Sequence, residues 1–319
     1  MALPIGNVLG ILSDNLRKRK SVLPLKASTA TAWADGLDIP YGGDTVIYTG
    51  YMYQLIPSIS SLAKRMAGYE DSWMTKFFGV GRFFNKIVSL SKFMTHVDSE
   101  QQDAYNNVVR NIAKLLMAAG VKFGYLYDKE LYTGALVYDQ GVDDVFIKHA
   151  ERVHKVLTDN GVKKVITIDP HTTDMLRSVY PKIIEGYDIE VISYLEVLAE
   201  ANPDIANNLD TDLVIHDSCV YARYEDVVDQ PRQLLTKAGA RLHEPELSGK
   251  LTHCCGGPIE SLKPAKAHEI AANRVEQLAE CGKNVVTMCP ICMVNLTNAA
   301  SDSIDIKDIS EYLVKAYGR

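Results

Sequence analysis

All six cysteines of this 319-residue chain lie beyond residue 218, and five of them fall in one spaced order. Cys219 stands alone, Cys254-Cys255 follows after 34 residues with Gly256-Gly257 directly behind it, and Cys289-Pro290-Ile291-Cys292 comes 33 residues beyond Cys255. In a Cys-x-x-Cys unit both sulfurs can converge on one metal centre within a single turn. Adjacent side chains such as Cys254 and Cys255 diverge in regular structure. For both to face one site the backbone must turn sharply there. Gly256 and Gly257 permit that turn, and Pro258 fixes the exit. Five thiols exceed the four that a zinc site or an ordinary cubane cluster takes. The pattern leaves a metal cluster, zinc and plain structural thiols as readings. Cys281 stands outside it and reads as a small, partly buried residue.

The charge, 34 basic against 40 acidic residues, gives a net −6 and disfavours a nucleic-acid binder. No apolar run reaches the roughly 20 residues of a membrane span. The apolar stretch at the N-terminus precedes its charges, the reverse of a secretory signal. The expectation is a cytoplasmic protein with reduced thiols.

Short apolar runs recur at 45–49 (TVIYT), 163–168 (KKVITI), 190–194 (EVISY), 212–216 (DLVIH) and 284–288 (NVVTM). Amphipathic stretches at 104–119, 143–159 and 265–280 separate them. Buried strands alternating with helices predict an α/β fold with parallel strands. The Cys-x-x-Cys follows one strand-like run and Cys219 another. Both thus sit at strand C-terminal ends, where α/β sheets place their sites.

The chain also repeats itself. VIYTGYMY (46–53) aligns with VIHDSCVY (214–221), LYTGAL (131–136) with HCCGGP (253–258), and VITIDPHTTDML (165–176) with VVTMCPICMVNL (285–296). At the five cysteine positions the first half has Tyr51, Tyr132, Thr133, Asp169 and Thr172. It keeps the frame and lacks the thiols. The predicted organisation is an N-terminal arm at 1–44, a degenerate half at 45–195 and a thiol-bearing half at 196–319. The arm carries the basic run Arg17-Lys18-Arg19-Lys20, read as a solvated helix face or a dock for an acidic partner. Residues 62–104 form an insertion with no counterpart. Its segment 76–94 is rich in Phe and flanked by Lys76, Arg82, Lys86 and Lys92. It is read as a helix packing on the core, a face for a partner subunit or a membrane-surface helix.

These features resemble the CCG, or cysteine-rich, domain of the heterodisulfide reductase B-subunit superfamily. That superfamily includes iron–sulfur subunits of glycolate, lactate and glycerol-3-phosphate oxidoreductases. The likeness spans roughly residues 44–300. It implies two pseudo-symmetric Rossmann-like α/β halves with a cluster at the strand C-terminal ends. It further implies Cys219, Cys254, Cys255, Cys289 and Cys292 as ligands of a non-cubane [4Fe–4S] cluster. In that family two such clusters face one another and split a disulfide. Here the first half has no thiols, so the resemblance implies one cluster per chain.

His216 and His253 flank the cysteines. They are candidates for catalytic proton delivery, for hydrogen bonds to cluster sulfur or for ordinary packing. Asp169, His171 and Asp174 lie in the counterpart of the Cys-x-x-Cys loop, where they are expected to replace the lost cluster with hydrogen bonds or to line the substrate side of the cavity. The chain shows no ferredoxin-type cysteine run, no dinucleotide fingerprint and no Walker loop. By resemblance its partners are a ferredoxin-like, C-type iron–sulfur subunit and a flavoprotein subunit, with a sulfur-containing substrate or carrier protein. Three functions follow as expectations. One is an oxidoreductase subunit of a heterodisulfide reductase-like complex, acting on thiols, disulfides or sulfane sulfur. The others are an electron relay in a lactate-, glycolate- or quinone-linked dehydrogenase complex and a zinc-stapled assembly subunit.

Overall fold

Short β-branched runs form the centres of two separate sheets in the computed structural model, which describes residues 5–67, 98–300 and 304–318. The first sheet holds β1 (Thr45–Tyr48), β2 (Gly124–Tyr125), β3 (Lys164–Thr167) and β4 (Glu190–Ser193) in the order β2-β1-β3-β4. The second holds β5 (Thr211–His216), β6 (Ala240–His243), β7 (Asn284–Thr287) and β8 (Asp305–Asp308) in the order β6-β5-β7-β8. Every pairing is parallel. The two orders are the same order shifted by four strands, so the α/β fold consists of two Rossmann-like halves.

β1, β3, β5 and β7 are the inner strands, and their apolar residues are buried on both faces: Val46, Ile47, Val165, Ile166, Val214, Ile215, Val285 and Val286. Such strands read as continuous apolar runs, which is why the sequence shows them. Parallel strands need helical crossovers. The helix Asp143–Asp159 precedes β3, and the helix Pro264–Ala279 holds the equivalent place before β7.

Residues 5–44 are built into the first half. The helix Ile5–Arg19 packs on the helix Asp143–Asp159. Leu16, Val22, Leu23 and Trp33 are buried, and Asn15 donates to the Val22 carbonyl at 2.8 Å. Arg17, Lys18 and Arg19 occupy the last turn of that first helix. Cations there complement the negative end of the helix dipole. Of the insertion, 62–67 closes the helix Met52–Ala67, and 99–104 opens the helix Ser99–Ala118. The latter packs on the former and, in the other half, on the helix Ile309–Tyr317. The aromatic and basic stretch 76–94 lies outside the described residues.

Candidate functional site

The five cysteines meet where three loops of the second half leave their strands. Cys219 opens a helical turn just past β5. Cys289 caps the N-terminus of the helix Pro290–Ala299, with Cys292 in its first turn. Cys254 and Cys255 come from the loop before the helix Pro264–Ala279.

Asp217 registers the first two loops. Its carboxylate takes two bonds of 2.8 Å from Arg232 and one of 2.7 Å from the Gly249 amide. Its carbonyl accepts the Thr252 hydroxyl at 3.1 Å. Cys219 lies two residues past Asp217 and Cys254 two past Thr252, so this strut brings the two thiols together. Arg232 is itself held by Glu244.

The double glycine has a steric reason. Gly256 has φ +84°, and a Cβ there would sit 2.3 Å from the Ala267 carbonyl oxygen. A Cβ on Gly257 would lie 2.3 Å from Ile291 Cγ2 and 3.6 Å from Cys255 Sγ. Only glycine lets the chain turn this tightly and approach the helix that carries Cys292. The Gly256 amide donates to Cys254 Sγ at 3.3 Å.

The thiols interact in sequence: Cys219 with Cys254, Cys254 with Cys255, Cys255 with Cys292 and Cys292 with Cys289. Along this chain Cys254 is pulled towards thiolate by the thiols of Cys219 and Cys255 and by the Gly256 amide. Cys289 is buried, which opposes ionisation, yet Cys292 and His171 draw it towards thiolate. Cys219 and Cys292 are pushed up as donors to their neighbours, and Cys255 is pushed up chiefly as a donor to Cys254. Cys255, Cys289 and Cys292 are buried, whereas Cys219 and Cys254 are partly exposed. The row therefore has a closed end and an open end. Among the described residues no three His, Cys, Asp or Glu side chains are arranged around a single ion. Cys281 lies apart, its Sγ 3.6 Å from the Gln277 carbonyl.

The degenerate half shows what fills the same frame without thiols. Asp169, at the place of Cys289, caps its helix by accepting the Thr172 amide at 2.9 Å. Tyr132, at the place of Cys254, accepts the Leu136 amide at 2.8 Å. Tyr51, at the place of Cys219, donates to the Glu130 carbonyl. Oε1 of Glu130 in turn accepts the Thr49 and Gly50 amides, each at 2.6 Å, and the Thr49 hydroxyl at 2.9 Å. Hydrogen bonds stand in for three of the five sulfurs, while the hydroxyls of Thr133 and Thr172 are buried without a partner among the described residues.

His171 does more than that. Its ring interacts across the halves with Cys289, which draws it towards the charged form. Burial disfavours its charged form, but the bond and charge of Cys289 outweigh burial and push it up to about 9. His253 is half-buried, with Nδ1 3.0 Å from its neighbour's carbonyl at Cys254. His216 is buried and takes a bond of 3.1 Å at Nδ1 from Nε of Arg274. Burial first, and then the Arg274 charge, push His216 down to about 3. Arg274 went unnoticed in the sequence. It is fully buried in the apolar stripe Ala267, Ala271, Val275 and Leu278 of its helix. That register is the one signal that could have found it.

The cysteine-rich domain family known as CCG matches residues 213–297. The probable iron–sulfur-binding oxidoreductase FadF of Bacillus subtilis is 32% identical over 219 residues, which are 65% of this chain and 31% of that protein. The EtfAB:quinone oxidoreductase of Syntrophomonas wolfei is 30% identical over 67% of this chain and 32% of its own length. A probable membrane-anchored ferredoxin of Chromohalobacter salexigens is 28% identical over 65% of this chain and 33% of its own. The chain thus spans about a third of the length of these relatives. No helix among the described residues is long and apolar enough to cross a membrane. Residues 213–297, with their three cysteine loops, are a CCG cysteine-rich domain, set in a chain whose first half repeats the frame without the thiols.

Proposed function

We propose that this chain is an iron–sulfur oxidoreductase subunit that relays electrons between partner redox proteins in the cytoplasm. Cys219, Cys254, Cys255, Cys289 and Cys292 would hold one [4Fe–4S] cluster of the non-cubane kind. The carrying observation is the unbroken row of five sulfurs drawn from three loops. Soft thiolates suit iron–sulfur clusters, and a row of five suits a group with several metal atoms better than one zinc ion. When bound, such a cluster supplies a one-electron carrier.

The chain's own residues set the conditions around it. Cys255, Cys289 and Cys292 keep one side dry, while the half-exposed Cys219 and Cys254 leave the other within reach of a partner. Asp169, Tyr132 and Glu130 fill the equivalent frame with hydrogen bonds, which supports one cluster per chain. The disulfide splitting by facing clusters implied by the family resemblance therefore has no counterpart here. The relatives' names, which speak of iron–sulfur, quinone and ferredoxin proteins, favour the relay. A ferredoxin-like C-type subunit and a flavoprotein are the partners this reading calls for.

A second reading rests on the open end of the row. A thiol, disulfide or sulfane sulfur could meet the cluster at Cys219 and Cys254, as in a heterodisulfide reductase-like enzyme. Iron, acid-labile sulfide and zinc per chain, with EPR after mild oxidation, test both readings. About four iron and four sulfide supports a cluster of the [4Fe–4S] size. One zinc and no sulfide overturns the proposal in favour of an assembly subunit. An oxidised-state signal that changes when thiol is titrated in favours the second reading over the relay.

A further inference from the structure

His216 and Arg274 leave two buried donors that nothing among the described residues accepts. Arginine carries only donors. The bond of 3.1 Å from Arg274 Nε to His216 Nδ1 therefore requires a lone pair on Nδ1. The imidazole then carries its proton on Nε2 and is neutral. That Nε2 is buried and has no hydrogen-bond partner. His216 is 1% exposed and Arg274 fully buried, so bulk water does not reach either. One guanidinium nitrogen of Arg274, Nη2, is likewise buried without a partner, while Nη1 is held by Gln277 at 2.8 Å.

Buried donors are nearly always satisfied, and an orphan is costly. Two orphans on one hydrogen-bonded pair beside the cysteine loops point to an acceptor that is not part of the polypeptide. Cys254 lies within electrostatic range of His216, and Cys292 within range of Arg274. His216 ends β5 three residues before Cys219, which places the pair beside the first cysteine loop. The first half has no such pair. The residue equivalent to His216 is Tyr48, and its hydroxyl is satisfied by the Leu131 carbonyl at 2.6 Å. At this strand-end position the donor is satisfied in the first half and unsatisfied in the half that has the thiols.

We propose that Arg274 is a positioning residue that locks His216 in the Nε2–H form, so that a buried N–H faces the sulfur of the bound group near Cys254. This deepens the cluster reading and rests on it. A hydrogen bond to cluster sulfur stabilises the more negative, reduced state and raises the reduction potential. The locked tautomer makes the bond permanent, because a neutral ring wedged against a buried cation cannot exchange its donor for an acceptor.

The test is a redox titration of the iron-loaded full chain followed by EPR, with iron and sulfide measured in each variant. His216→Phe removes the donor and is expected to shift the midpoint to a more negative potential at unchanged iron content. His216→Gln places an amide N–H2 near the Nε2 position and should restore much of the shift. Arg274→Met should shift the midpoint in the same direction in the native background. In the His216→Gln background it should shift it less, since an amide needs no tautomer lock. Equal midpoints in native protein and His216→Phe, both with full iron, would overturn the proposal. Shifts from Arg274→Met that are the same in both backgrounds would overturn the link between the two residues. Native protein without iron would instead sink the underlying cluster reading.

Discussion

Tyr53 donates its hydroxyl to Asp308 Oδ2 at 2.7 Å, across the seam between the two halves. Tyr221, its repeat partner, makes the mirror-image contact, 2.9 Å to Ser193 Oγ. Asp308 and Ser193 are themselves equivalent. Each ends the outer strand of its sheet and caps the next helix in a capping box, with Glu311 or Glu196. Each half thus fastens a helix start of the other. This exchange fixes how the halves face one another, and hence where His171 meets Cys289.

Removing the Tyr53 hydroxyl tests that clamp. Burial pushes Asp308 up to about 6, and the Tyr53 bond works against that rise. Without the bond the carboxylate is harder to ionise in the folded state. Tyr53→Phe should therefore destabilise by about 2 kcal/mol at pH 8, where Asp308 is charged, and by less at pH 5. Denaturant midpoints at the two pH values check this. An equal loss at both would mean that the ring's packing, not the bond to the carboxylate, had changed.

The ligand assignment has its own controls. Cys255→Ala or Cys289→Ala should lower iron content and bleach the visible absorption. Cys281→Ala should leave both intact, because Cys281 stands outside the row. Tyr132→Ala is an unsuitable control, since the ring is fully buried and its loss would cost about 3–5 kcal/mol. Tyr132→Phe keeps the ring and should retain full iron. Full iron in Cys255→Ala would contradict the assignment.

Much of this was legible in the sequence for identifiable reasons. β1, β3, β5 and β7 are inner strands, so their apolar runs are unbroken, and β4 is apolar enough to show as well. β2 is two residues long, and β6 (Ala-Arg-Leu-His) and β8 (Asp-Ile-Lys-Asp) are polar edge strands. Nothing in their composition separates them from loops. The five cysteines announced themselves by spacing. The reach of His171 to Cys289 did not, because it depends on how two domains pack, which local pattern cannot encode. Arg274 was hidden by its chemistry, since an arginine in a helix ordinarily marks the solvated face.

The glycine after Cys254-Cys255 and the one after its counterpart Tyr132-Thr133 offer a matched comparison. Gly256 (φ +84°) and Gly134 (φ +89°) occupy equivalent turns. A Cβ on Gly134 would come within 3.0 Å of the Phe146 ring, a side chain with some freedom to yield. A Cβ on Gly256 meets backbone. Each alanine substitution carries a left-handed strain of about 1–2 kcal/mol, and Gly256→Ala adds the clash. Gly256→Ala should lower both stability and iron content, and Gly134→Ala stability alone. Iron assay beside thermal melts separates the two effects. Equal iron loss from both would mean that the thiol-free half takes part in holding the metal.

Glu130 gives the clearest pH signature. Burial pushes its carboxyl up from 4.5 to about 7, even though Thr49, Tyr125 and the Gly50 amide all favour the charged form. A raised acid pKa means that the folded state binds the proton more tightly than the unfolded chain does. The stability this contributes is complete below about pH 4.5 and is lost as pH rises through about 7. A shift of that size corresponds to at most about 3 kcal/mol. Glu130→Gln keeps an oxygen for the three donors and removes the ionisation. It should match the native protein's stability near pH 4.5 within about 1 kcal/mol and exceed it at pH 8. Denaturant unfolding across this range should give a flatter profile for the variant. Because Asp169, Glu225 and Asp308 are shifted in the same direction, the variant's stability should still fall with pH, only less steeply than the native protein's. Parallel profiles would show that Glu130 is already neutral, or already fully charged, throughout the range.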